Sequence, residues 1–180
     1  MKWNVGTKIA TGFIAALIIF VILGIVSWRN VENSTEEARW VAHTHEVRLS
    51  LAQLLTAIID TETAQRGYII TGDEAYLAPY TNGVAAVEGL RQRLLDLVDD
   101  NPRQLALAQS LGPLIRQRLV DIEGGIDARR RGDTAAAEEI VNAGRGKKNM
   151  DEIRALLGTM NDTEARLLQT RLGVVHRSQE

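Results

Sequence analysis

An uncharged apolar run, Ile9 to Trp28, constrains this chain more than any other feature of it. At about 20 residues it has the length a helix needs to cross roughly 30 Å of hydrocarbon. The long polar remainder contains no second such run. The flanks set an orientation. Lys2, Lys8 and the amino terminus lie on one side, whereas the other opens with Arg29 and soon adds Glu32, Glu36 and Glu37. By the positive-inside tendency, residues 1–8 form a cytoplasmic tail, residues 9–28 a transmembrane helix in contact with lipid, and residues 29–180 an outward-facing domain. A cleaved signal peptide fits less well, because the apolar core exceeds the usual ~7 to 15 residues and no small-x-small site follows in Gly24-Ile25-Val26-Ser27-Trp28. That reading would give a secreted helical protein with a mature start near Ser27.

Roughly 150 residues follow the run, enough for one domain with a buried core. The 21 basic and 23 acidic residues leave a formal net charge of -2, without the basic excess of a nucleic-acid surface. No cysteine is present, which removes disulfides, thiolate metal sites and thiol nucleophiles. Stability therefore has to come from packing.

From Val31 onward the apolar spacing is helical. Ala38, Val41, Ala42, His45, Leu49, Ala52, Thr56, Ile59 and Thr63 form one stripe, with Leu51, Leu54, Leu55 and Ile58 beside it. This predicts one long helix continuous with the membrane helix and stopped at Gly67, a residue that tolerates the left-handed conformation. Thr71-Gly72-Asp73-Glu74 matches the capping box and predicts a second helix from Thr71, buried along Tyr76, Tyr80, Val84, Val87, Leu90, Leu94 and Leu97 and failing near Asp99-Asp100. Pro79 predicts a distorted start. Asn101-Pro102 reads as a cap followed by proline at the first helical position. The third helix then carries Leu107, Leu111, Leu114, Ile115, Leu119, Ile122 and Ile126, and ends at Arg129-Arg130-Arg131-Gly132, where the cations complement a helix carboxyl end better than they suggest an anion site.

Asp133 caps a short helix through Ala143, and Gly144-Arg145-Gly146 separates it from a last helix, about Lys147 to Gln179. There Ile153, Met160, Leu167 and Val174 repeat every seven residues, with Met150 and Leu157 at the complementary position before it turns polar at Glu164 and Arg171. Such a repeat asks for a supercoiled partner. The fold class that follows is all-α: a membrane-anchored four-helix bundle with up-down-up-down topology.

Chemistry is hard to place on this pattern. His43 and His45 point about 200° apart on a helix and cannot share an ion, so no metal site is expected. His45 falls on the inward stripe and His176 on the surface. Gly144-Arg145-Gly146-Lys147-Lys148 lacks both the nucleotide-loop pattern and a preceding strand. No nucleophile, base or paired-carboxylate arrangement emerges, so neither catalytic residues nor a cofactor is expected.

One stretch is more specific: Glu62-Thr63, Arg66-Gly67-Tyr68 and Thr71-Gly72, followed by Asp73, Tyr76, Pro79 and Tyr80. It resembles the signature of the third type of CHASE domain, the extracellular sensory module of bacterial histidine kinases, chemoreceptors and cyclases. The layout of an anchor followed by an outward bundle resembles that family too, so the likeness covers nearly the whole chain. It implies a sensor domain in the bacterial inner membrane, largely periplasmic or extracellular, homodimeric, and responsive to a small-molecule or protein stimulus. Output would lie outside this sequence, which shows no second membrane helix and no kinase, cyclase or methyl-accepting module; the chain then reads as a fragment of a longer receptor or as a stand-alone relative.

The signature also has a purely structural reading, in which Glu62 and Arg66 pair at i, i+4 and the tyrosines close the core. If it binds a ligand, Glu62, Arg66, Tyr68, Asp73 and Tyr76 are the first candidates, with Gly67, Thr71, Gly72 and Tyr80 completing the motif. Ile153, Met160, Leu167 and Val174 form the candidate signalling seam. A tethered scaffold that binds a partner and senses nothing is the alternative.

Overall fold

The computed structural model describes residues 5–177, and among them lie five α-helices and no strand. They are α1 (Val5–Thr71), α2 (Leu77–Leu97), α3 (Pro102–Arg130), α4 (Thr134–Asn142) and α5 (Arg145–Arg177), with a 3-10 turn, Glu74–Tyr76, between α1 and α2. The all-α expectation holds, and the apolar run is continuous with the first long helix. Lys2, Gln179 and Glu180 lie outside the described residues, as do the side chains of Lys8, Val174 and His176.

The chain divides into two compact units, residues 1–42 with 170–180, and residues 43–169. In the first, the window Gly12–Arg29 has a mean hydropathy of 2.3 with none of it buried. Phe13, Phe20 and Trp28 are 74%, 76% and 71% exposed, an apolar surface that water does not favour and hydrocarbon does. Farther along, the Arg171 guanidinium lies 3.7 Å from the centre of the Trp40 ring, a cation–π contact between α1 and α5.

In the second unit the main core draws on four helices: Val47, Leu51, Leu54 and Ile58 of α1, Val87 and Leu94 of α2, Leu111 and Ile115 of α3, and Met150, Ile153, Leu157 and Met160 of α5. Full burial of a side chain of this size contributes about 2 kcal/mol. The directions alternate, since the end of α1 packs on the start of α2 and the end of α3 through Tyr68, Leu77, Tyr80, Ile122 and Ile126. A third cluster, Ile69 with Ala128 and Ala137, seats α4 against the ends of α1 and α3.

Most boundaries follow the local chemistry. Asn101 accepts from the backbone N–H groups of Arg103 and Gln104 at the start of α3, with Pro102 at the first helical position. Asp133 caps α4 by accepting from the Ala136 N–H at 3.0 Å, and Gly132, at φ 81°, closes the preceding turn.

Two expectations on α1 need correction. The helix does not stop at Gly67; it continues to Thr71, and Gly72, at φ 72°, is the left-handed residue that ends it. Thr71 accordingly opens no helix and no capping box forms. Asp73 caps the 3-10 turn, accepting from the Ala75 N–H at 2.9 Å, and α2 begins only at Leu77. Pro79 falls in the first turn of α2, where its missing donor costs little. The packing face of α1 also differs. Thr44, Val47, Leu51, Leu54, Ile58, Thr61, Gln65 and Tyr68 are buried, whereas His45, Leu49, Ala52, Thr56, Ile59 and Thr63 are exposed.

Candidate functional site

The signature residues gather where α1, α2 and α3 meet, and each has a local task. Glu62, on the last turns of α1, bridges two arginines: Arg66 one turn on, at 2.6 Å, and Arg118 of α3, at 3.1 Å. The two differ in setting, since the Arg66 side chain is 56% exposed and that of Arg118 only 7%. A buried guanidinium without a counter-charge is costly, so Glu62 chiefly serves to neutralise Arg118. Gly146 of α5 makes room for it, because a Cβ there would come within 2.5 Å of Arg118 Nη1.

One turn below, the buried Gln65 donates from Nε2 to the Ile122 carbonyl at 3.0 Å, and Gly125 leaves space for the amide. Gly67 has an analogous role. A Cβ at that position would run into the ring of Tyr76, so this glycine allows the tyrosine to lie flat against the α1 backbone. Tyr68 turns inward between Ile122 and Ile126. Thr71 Oγ1 donates to the Gly67 carbonyl at 2.7 Å and accepts from the Asp73 N–H at 3.1 Å, while the Gly72 N–H donates to the Tyr68 carbonyl at 2.8 Å. Tyr80 is half-buried beside this cluster; burial raises its phenol pKa above the usual value, with Glu123 and Asp127 adding to the shift and Arg130 opposing it.

Glu62, Gly67, Tyr68, Thr71, Gly72, Tyr76 and Tyr80 are thus brought into one junction. Arg66 and Asp73 sit on its solvent side, and Asp73 is a turn cap. The arginine run works locally: Arg129 Nη1 donates to Thr134 Oγ1 at 2.6 Å, and Arg130 faces Asp127 at 3.5 Å. Along α5, Ile153 and Met160 are fully buried in the core and Leu167 is half-buried. The heptad's partners over Met150–Met160 are therefore this chain's own helices.

A second polar cluster lies at the other end of the bundle and was not anticipated. The Glu164 carboxylate, 3% exposed, accepts from Gln104 Nε2 at 2.8 Å and from Thr44 Oγ1 at 3.4 Å, while Gln104 also donates to the Met160 carbonyl at 3.0 Å. It joins α1, α3 and α5, and among the described residues no cation lies within 4.0 Å of the Glu164 carboxylate. Arg118 was equally missed, although its place between Ile115 and Ile122 on the buried stripe of α3 marks it as inward-facing.

Comparison with known proteins agrees with this architecture. The family model described as the CHASE3 domain matches residues 37–173. No curated protein matches the chain. Among solved structures, the sensor domain of the Rhodopseudomonas palustris histidine kinase HK9 is similar, with a TM-score of 0.66 and 23% identity over 70% of this chain and 98% of that one. At that identity the likeness speaks to the fold.

Proposed function

The chain belongs to the CHASE3 domain family of extracellular sensory input domains of receptors, and from that premise we propose that it senses at a bacterial inner membrane and relays the stimulus by displacing α1 against α5. In this reading residues 9–28 cross the bilayer, residues 1–8 are cytoplasmic and residues 29–180 are periplasmic. The carrying observation is the unbroken course of α1, which runs from the exposed apolar window to the signature junction.

Transmission requires an element with two arrangements and a ligand that favours one of them. The seam formed by Ile153, Met160 and Leu167 is the moving part, and the cluster of Thr44, Gln104 and Glu164 is its catch. These short polar contacts have a defined register, so sliding α5 would exchange partners rather than deform them gradually. A second copy would pair along α1, where Leu49, Ala52, Thr56 and Ile59 form an exposed stripe at heptad spacing. The chain does no catalysis in this reading: Glu62, Arg118 and Glu164 are tied to structural partners, and any chemical output belongs to another module.

Topology is the direct test. The sequence has no cysteine, so single replacements at Gln53 and Val120 report unambiguously. On intact cells a membrane-impermeant maleimide should label both. Labelling only after lysis would place the bundle in the cytosol and end the sensory reading.

A further inference from the structure

Beside the signature junction, between α1 and the start of α2, runs a groove of about 540 Å³, within the range of small-molecule sites. Its shape follows from residue size. Gly83 brings α2 against α1, since a Cβ there would approach Thr61 Cγ2 to 2.5 Å and the Ala57 carbonyl to 3.4 Å. Past that contact the walls are small residues, and the far end is closed by Tyr76, whose ring rests on Gly67 with 40% of the residue still exposed.

Polarity in this groove is one-sided. Asp60 supplies the charge, Thr63 and Asn82 supply neutral polar groups, and no arginine, lysine or histidine lines it. Among the described residues no cation lies within 4.0 Å of the Asp60 carboxylate, unlike Glu46, Glu62 and Glu88 on the same two helices. Along α1, Asp60, Thr63 or Ala64, and Gly67 stand one turn apart on a single face. The carboxylate and the tyrosine seat are therefore separated by seven residues, roughly 10 Å along the axis.

A carboxylate at one end, an aromatic ring at the other and an apolar floor between them describe the complement of an amine with an apolar body. We propose that this groove binds a small organic cation of that kind: its ammonium group on Asp60 with help from Thr63 or Asn82, its apolar or aromatic body along the floor towards Tyr76. A carboxylate ligand is disfavoured by Asp60. A neutral isostere forgoes the attraction between ammonium and carboxylate, a severalfold difference at an exposed acid. That the amine serves as the stimulus rests on the sensory reading; that it binds does not.

Titration calorimetry on the full chain in lipid nanodiscs tests the binding with phenethylamine, phenethyl alcohol and phenylacetate as probes. The amine should bind about fivefold more tightly than the alcohol, and phenylacetate should not bind. Asp60→Asn should weaken the amine about fivefold while melting like the parent, because Asp60 is exposed. Ala86→Leu, which fills the groove, should weaken amine and alcohol alike. Equal binding of amine and alcohol, no heat with the amine, or unchanged affinity in Asp60→Asn would each overturn the proposal. None of those outcomes bears on the labelling of Gln53 and Val120, so this proposal and the sensory reading fail separately.

Discussion

The two ends of the helical bundle bury acids in opposite ways. At the turn end Glu62 faces a buried arginine, and charge is balanced within 3.1 Å. At the other end Glu164 is buried more completely, yet the donors that reach it are a carboxamide and a hydroxyl. A buried ion pair resists the loss of either partner because the survivor is left charged in a poor solvent. Neutral donors hold a carboxylate less firmly and can be exchanged one at a time. The ion pair at the turn end therefore keeps α1 and α3 together, and the base is where α5 can shift register against them.

The largest effect should come from breaking the balance at the turn. Glu62→Ala leaves Arg118 buried and uncompensated, and should cost about 3 kcal/mol in denaturant or thermal unfolding. Replacing the pair together, Glu62→Leu with Arg118→Met, should recover most of that loss. If the single substitution is as mild as a surface change, the contrast between the two ends does not exist.

Next in size is Gly67→Ala. The added methyl group collides with the Tyr76 ring and should cost about 2 kcal/mol through displacement of that side chain. Combining it with Tyr76→Ala removes the collision, so the double variant should be more stable than the sum of the two singles implies. A helix stop at Gly67 would predict no such coupling.

That position illustrates what was legible in the sequence. Turns decided by one residue's own chemistry, such as Asn101-Pro102, Arg131-Gly132 and Asp133, are readable because the cap or the left-handed glycine acts locally. Gly67 and Gly72 look alike as local signals. What separates them is Tyr76, which is remote enough that only the folded junction shows the ring lying on Gly67. The packing face of α1 was obscured for a related reason. Thr44, Thr61 and Gln65 are polar and buried, while Leu49 and Ile59 are apolar and exposed, so two stripes of similar apolarity compete and periodicity alone favours the wrong one. The inward position of Arg118 was available from spacing, but its pairing with Glu62 depends on α1 and α3 being neighbours.

At the base the comparison sharpens. Gln104→Leu strips Glu164 of its shortest bond and should cost about 2 kcal/mol. Glu164→Gln should change stability by less than about 1 kcal/mol, since the amide oxygen can still accept from Gln104 and its nitrogen can face Thr44 Oγ1. Thermal melts of the two variants side by side decide the matter. A large loss in Glu164→Gln would mean that the carboxylate charge itself is needed there, and the base would then resemble the turn end.

The smallest effect calibrates the others on a surface pair. Glu88 and Arg91 meet at 2.6 Å on α2, and the arginine bond holds the Glu88 carboxyl below its usual pKa while raising that of Arg91. With the folded-state pKa of Glu88 lowered, the unfolded chain binds protons first as pH drops. The contribution is therefore complete above the ordinary glutamate pKa and is lost as pH falls through the lowered folded value. The Glu88 side chain is 67% exposed, so solvent screening limits the pair to about 0.3 kcal/mol. Glu88→Gln should lower stability at neutral pH by that amount and leave strongly acid pH unchanged, so the acid limb of stability against pH flattens accordingly. A flattening as large as the loss in Glu62→Ala would mean that burial is not what separates strong from weak ion pairs in this bundle.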